Sequence, residues 1–340
     1  MGKSLLLCFE KGRVYNSPMP WWFYLILGLV LVLVVMPLFG MFFIVPIPIF
    51  DSLFTRKSKE KWSRNAPSDS KNEEMLRMWS LAKDFQASNR QHYSEVHVLT
   101  EDGLNLYGEY YDFKGKEAVI ILPGRPETLV YSLFYAESYR KAGVNVLVVD
   151  TRAHGKSDGE NHGCGYMERL DIYAFVHWLT TKKGIEKVIL HGICVGSSSC
   201  VHAVTDPNKP SAIVGLVTDG LYVSLYETLK LRVRKNAKIN PLTCVAYFRH
   251  RIKKLYGYDI KKDGPLFHMG EIQIPTLMMA SEEDIYSLPE KTKLLYSKIP
   301  ESTPKKLVMF PHGAHSHLRI VNPKLYDKSV QEFVDSIRQK

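Results

Sequence analysis

Cys194 is the residue around which chemistry could be built. It lies in the run Val188-Ile189-Leu190-His191-Gly192-Ile193-Cys194-Val195-Gly196-Ser197-Ser198-Ser199-Cys200. There a short apolar stretch meets two glycines flanking one nucleophilic side chain, and small residues able to start a helix follow. The pattern is that of a nucleophile elbow, a strand, sharp turn and helix usually read as Gly-x-Ser-x-Gly. The turn is strained and its neighbouring backbones approach closely, which is why glycines stand two before and two after the nucleophile. Here the central residue is cysteine. Ser197, Ser198 and Ser199 do not have glycines on both sides at that spacing, so the chemistry expected of this turn runs through a thiol.

A nucleophile of this kind has to be presented by a strand and a helix, and the chain supplies both repeatedly. Ser94 to Leu99 and Leu104 to Tyr111 alternate around the turn Glu101-Asp102-Gly103, which predicts an antiparallel hairpin. Buried-type runs follow at Ala118 to Leu122, Val144 to Val149, Val188 to Leu190, Ala212 to Val217 and Thr276 to Met279, with helical stretches such as Val130 to Lys141 and Tyr166 to Thr181 between them. Continuous apolar strands alternating with helices imply an α/β fold, a mainly parallel twisted sheet covered by helices on both faces. At 340 residues, 45% hydrophobic and 24% charged, the chain can bury one large core and carry an additional element. No zinc-type spacing, P-loop, dinucleotide fingerprint or internal repeat is present. Five scattered cysteines argue against a disulfide framework and for a reduced domain.

The additional element is at the N-terminus. No charged residue occurs from Val14 to Phe50, and Trp21-Trp22-Phe23-Tyr24 opens a dense apolar run through Val45. That length predicts one transmembrane helix over 21–50 after a tail at 1–20, with an aromatic belt at its start and Pro46-Ile47-Pro48 ending it. Lys3, Lys11 and Arg13 precede the span, whereas Arg56, Lys57, Lys59, Lys61 and Arg64 follow it, a bias that favours a cytoplasmic downstream domain. Residues 51–91 then read as a basic linker and a covering helix, the latter from the helical spacing of Met75, Met78, Trp79, Leu81 and Phe85. The main domain is expected over 92–340, with 220–270 inserted as a small helical cap.

From about His92 to Gln339 the chain resembles the α/β-hydrolase superfamily, and is most similar to membrane-anchored bacterial hydrolases of the serine-aminopeptidase-like group. Asp150-Thr151-Arg152-Ala153-His154-Gly155-Lys156-Ser157 is similar to the family's Asp-x-Arg-Gly-His-Gly-x-Ser turn, and Gly165 to Asp171 resembles the helix start after it. Ile120-Ile121-Leu122-Pro123-Gly124-Arg125 stands where the family has His-Gly, with proline in place of histidine and Gly124 kept.

The resemblance implies a site in the chain order nucleophile, acid, histidine. The acid belongs after the strand at Thr276 to Met279, where Asp284 matches the family's position; Glu283 beside it and Asp219 after the preceding strand are the alternatives. The histidine belongs near the C-terminus, where His315 matches and His312 and His317 flank it. His315 would deprotonate Cys194, Asp284 would hold the imidazole, and the backbone N–H groups of Val195 and Arg125 would form an oxyanion hole. The expected activity is cleavage of an ester, thioester or small amide through an acyl-Cys194 intermediate, without metal or organic cofactor. The rival is an inactive hydrolase fold that binds a ligand or partner at the membrane. The cap carries Lys230, Arg232, Arg234, Lys235, Lys238, Arg249, Arg251, Lys253, Lys254, Lys261 and Lys262 among apolar residues. Such a surface suits anionic lipid or bulk solvent equally, and no motif for nucleic acid accompanies it.

Overall fold

The computed structural model describes residues 19–56, 67, 71–125, 127–237 and 241–339. The tail with Lys3, Lys11 and Arg13, the stretch holding Lys57, Lys59, Lys61 and Arg64, and Lys238 lie outside the described residues.

The apolar run forms successive helical segments, α1 (Trp21–Val30) and α2 (Met36–Phe39), separated by a π turn at Leu31–Val35. A second π turn at Gly40–Ile44 leads to α3 (Pro46–Phe54). Each π turn comes just before a proline, Pro37 or Pro46, whose ring and missing N–H the widened turn accommodates. Trp21–Phe39 is long and apolar enough to span a membrane, and none of that window is buried in the protein.

The expectation that Pro46-Ile47-Pro48 ends the helix is corrected here. Pro46 is the first residue of α3, a position where the absent N–H leaves nothing unsatisfied. The helix then docks on the domain. Phe50 and Phe54 are buried, with ring centroids 5.8 Å and 6.0 Å from Phe248 of the cap. Each such burial contributes about 2–3 kcal/mol. Beyond α3, Thr55 bridges to Asn161, and Arg56 donates to the carbonyls of Ser157 and Gly155. The chain therefore leaves the apolar helix already attached to the cap, and the basic stretch follows that attachment instead of preceding it.

The remaining elements are α4 (Glu73–Ser88), β1 (Tyr93–Leu99), β2 (Asn105–Tyr111), β3 (Glu117–Leu122), α5 (Leu129–Lys141), β4 (Asn145–Asp150), α6 (Glu168–Lys183), β5 (Lys187–Ile193), α7 (Val195–Thr205) and β6 (Ile213–Asp219). After them come α8 (Leu225–Arg232), α9 (Pro241–Tyr256), α10 (Pro265–His268), β7 (Thr276–Ser281), α11 (Pro289–Lys298), β8 (Lys305–Phe310), α12 (Leu318–Val321) and α13 (Pro323–Arg338). The 8-stranded sheet has the order β1-β2-β4-β3-β5-β6-β7-β8. β1 pairs antiparallel with β2, and β2 antiparallel with β4, while β3 to β8 are parallel. One face is covered by α4, α5 and α13, whose Met78, Phe134 and Val330 join one core. The other is covered by α6 and α7, through Phe175 and Val201 among others. A third cluster unites α3, α8 and α9 with Val195, directly over the elbow.

β8 was not anticipated from sequence. Lys305 and Lys306 open it, and as an edge strand it is only half covered, so its apolar signal is short. On the outer face of α9, Arg251, Lys253 and Lys254 are exposed, whereas Arg249 is held by Asp259 through two contacts of 2.6 Å.

Candidate active site

β5 lies between β3 and β6 and hands the chain to α7 through one residue, Cys194, at φ 54° and ψ −111°. A side chain at positive φ is strained, and strain of this kind persists only where the surroundings impose it. The two glycines show how. A Cβ on Gly192 would lie 2.3 Å from the carbonyl of Gly196 and the nitrogen of Ser197; one on Gly196 would lie 2.6 Å from the Leu122 carbonyl oxygen. The Cys194 N–H donates to the Asp219 carbonyl at 2.8 Å. Ser197 closes the turn by donating from Oγ to Gly192 O at 2.6 Å, Ser198 donates to Gly165 O, and Ser199 to Val195 O. The three serines are spent on backbone.

Asp284 is brought in by the loop after β7. Its Oδ1 accepts the N–H groups of Tyr286 and Ser287, each at 2.8 Å, and its Oδ2 is 2.7 Å from Nδ1 of His315 on the loop after β8. Gly220 leaves room for that ring, since a Cβ there would meet His315 Cε1 at 2.9 Å. The alternatives are placed elsewhere. Glu283 contacts His312 Nδ1 at 2.9 Å and accepts Gly313 N–H, bracing the histidine loop from outside. Asp219 accepts Tyr326 Oη at 3.1 Å, the same hydroxyl that lies 3.1 Å from His191 Nε2. His317 faces Glu74 of α4. Each of the three histidines thus has its own carboxylate, and of the three only His315 acts on the charge of Cys194.

The electrostatics of that chamber favour charge separation. Burial alone would raise the Cys194 thiol, but the His315 charge and hydrogen bonding, aided by Arg232, bring it below its ordinary value. Burial would likewise depress His315; Cys194 and Asp284 outweigh it and hold the imidazole well above its usual range. The position of Cys194 at the N-terminus of α7 acts in the same sense on the thiolate. Asp219 and Glu127 are pushed up to about 7, both chiefly by burial. Among the described residues, the backbone N–H groups of Val195 and Arg125 have no protein acceptor, so both remain available to an oxyanion.

The Asp150 motif has a structural use. Its carboxylate accepts the N–H groups of Leu129 and Lys156, and Arg152 is clamped between Asp171 and Asp102. A Cβ on Gly155 would fall 2.1 Å from Asp150 Oδ2.

Around the thiol, Phe54, Tyr222 and Glu127 were not singled out from sequence, and Arg232 was named there only as one of the basic residues of the cap. Phe54, Tyr222 and Arg232 line the small cavity at Cys194 together with Arg125, and Glu127 lies against Gly124. Glu127 and Arg232 carry no local motif, and Phe54 reads as part of the apolar helix. A larger cavity of about 380 Å³ opens on the other side of Tyr222 and Thr228.

The comparisons agree with this architecture. A family profile described as alpha/beta hydrolase fold matches residues 117–237. YqkD, an uncharacterised protein of Bacillus subtilis (strain 168), is 28% identical over 238 residues, 67% of this chain and 76% of its own. The structure of the Pyrococcus furiosus esterase Pf2001 superposes with a TM-score of 0.61 at 24% identity, covering 75% of this chain and 94% of that one. An acylaminoacyl peptidase of Pyrococcus horikoshii gives 0.54 at 16% identity, over 73% and 41% respectively. With its strand order, its elbow and the profile matched over 117–237, the chain has the α/β-hydrolase fold.

Proposed function

We propose that this protein is a membrane-anchored thiol hydrolase that cleaves an ester, thioester or small amide. The observation carrying the reading is the strained Cys194, electrostatically coupled to His315, which is itself hydrogen bonded to Asp284 at 2.7 Å. The esterase and peptidase among its structural neighbours support hydrolysis of an acyl bond as the reaction class.

In the proposed cycle the Cys194 thiolate attacks the substrate carbonyl carbon. The carbonyl π electrons move to oxygen, where the Val195 and Arg125 N–H groups receive the charge. As the tetrahedral intermediate collapses, the bond to the leaving group breaks and His315 Nε2 gives that group its proton. Water then yields a proton to Nε2 and attacks the thioester; the C–S bond breaks and the thiolate returns. Asp284 keeps Nδ1–H in place throughout, so that Nε2 is the nitrogen that exchanges protons.

Alkylation by iodoacetamide reads the thiolate directly, because its rate follows the thiolate fraction. A lowered thiol pKa means that thiolate is lost only when pH falls through that lowered value. The Cys194 rate is therefore expected to stay nearly flat from about pH 9 to below about 8.5, where an ordinary thiol loses reactivity. A tenfold fall per pH unit below 8.5 would sink the ion-pair reading. Alongside it, a panel of short p-nitrophenyl esters tests turnover; silence on esters with a normal thiol profile would favour an inactive binding protein.

The apolar helix is proposed to anchor the protein, with the domain on the cytoplasmic side. Among the described residues Cys164, Cys194, Cys200 and Cys244 are free, which fits a reducing compartment. Protease added to intact cells is expected to leave the domain uncut; rapid cleavage would place it outside.

A further inference from the structure

The cavity at Cys194 measures about 30 Å³, room for one or two waters. Two guanidinium groups border it. Arg125 comes from the loop after β3, and Arg232 is the last residue of α8. Among the described residues neither is paired with a carboxylate: Arg125 Nη1 donates to the Leu53 carbonyl at 2.9 Å, and Arg232 lies 4.9 Å from the centre of the Tyr286 ring. Burial and the neighbouring Arg232 together depress Arg125 to about 10. Asp284 is committed to His315, and Cys194 and His315 act on each other. Glu127 is the carboxylate that remains. Burial pushes it up to about 7, so at neutral pH it is only half ionised and offsets less than one of the two cations.

Two converging cations in a partly dry cavity are costly unless an anion joins them. We infer that the acyl substrate carries an oxyanion group, carboxylate or phosphate, which Arg125 and Arg232 hold beside the scissile carbonyl. The inference rests on the thiol-hydrolase reading for the reacting carbonyl. The small cavity keeps the anion within a few bonds of that carbon. Phe54, at the docked end of the apolar helix, forms part of the same wall. The anion can accordingly come from a lipid headgroup or from a soluble acid.

The test compares alkylation of Cys194 by anionic iodoacetate and neutral iodoacetamide in the full-length protein, with Cys194→Ala subtracting the other thiols. An ordinary thiolate prefers iodoacetamide. Here iodoacetate is expected to react at least as fast, with the ratio falling about tenfold in Arg232→Gln, the loss of one charge-assisted hydrogen bond, and surviving in Arg232→Lys. A wild-type preference for iodoacetamide that Arg232→Gln leaves unchanged would overturn the inference. Turnover of methyl butyrate as fast as monomethyl succinate would also overturn it, while leaving the hydrolase intact. Turnover of neither ester, with the iodoacetate preference retained, would instead sink the hydrolase reading and leave the anion pocket standing. Protection of Cys194 by succinate would identify a soluble acid, and protection by phosphatidylglycerol but not phosphatidylcholine vesicles a lipid headgroup. Protection by none of them counts against the pocket.

Discussion

Cys194→Ala is expected to take ester hydrolysis down by about 10⁴-fold or more in kcat, to the level left by the oxyanion donors and binding alone. The size of the effect follows from the role proposed for the thiol. In the proposed cycle it supplies both the attacking electron pair and the partner of His315, and alanine supplies neither. The variant should fold normally, because Cys194 stands at a turn imposed by its neighbours and alanine meets the same positive-φ strain. Cys194→Ser is the informative companion. A serine hydroxyl is far less acidic than the thiol, so His315 must act as a true general base instead of the cationic half of an ion pair. Partial activity is expected, with a rate that rises as His315 loses its proton at higher pH. Stopped ester assays across pH check both variants. Activity in Cys194→Ala within tenfold of wild type would exclude an acyl-Cys194 intermediate.

Gly192→Ala is expected to destabilise the domain by about 3 kcal/mol or more and lower Tm by about 10 °C. The added methyl would stand 2.3 Å from backbone atoms of Gly196 and Ser197, and backbone cannot swing aside as a side chain can. Relieving the clash means opening the turn between β5 and α7, which also withdraws Cys194 from His315. Gly270→Ala serves as the control: the nearest atom to its added methyl is the Lys298 carbonyl oxygen at 3.8 Å. Its Tm should stay close to that of wild type. Thermal unfolding of the full-length protein in detergent decides the matter, and a Gly192→Ala protein melting within about 2 °C of wild type would show that the elbow tolerates far more than its geometry implies.

The contrast between local and distant information runs through the whole site. The elbow was readable because strand, glycines, nucleophile and helix start are consecutive, and the strain that demands those glycines is a property of a few adjacent residues. The parallel sheet was readable for a similar reason, since strands buried on both faces advertise themselves as continuous apolar runs. β8 escaped because its lysines and half-covered edge dilute that signal. Which carboxylate meets which histidine was not a local property. Asp219, Glu283 and Asp284 are all loop or strand-end acids, and His312, His315 and His317 lie within one short loop. The packing of β6, β7 and β8 side by side put Asp284 against His315, Glu283 against His312, and Asp219 under Tyr326.

The sequence by itself determined the fold class, the thiol at the elbow and an apolar helix long enough for a bilayer. Each is written in short-range pattern. Tertiary structure alone decided that α3 runs past its prolines to seat Phe50 and Phe54 in the cap, and that Arg125 and Arg232 meet beside Cys194. Residues 54, 125, 194 and 232 come together only because the sheet orders its strands out of sequence and the cap folds back across their ends. Neither propensity nor periodicity carries that information.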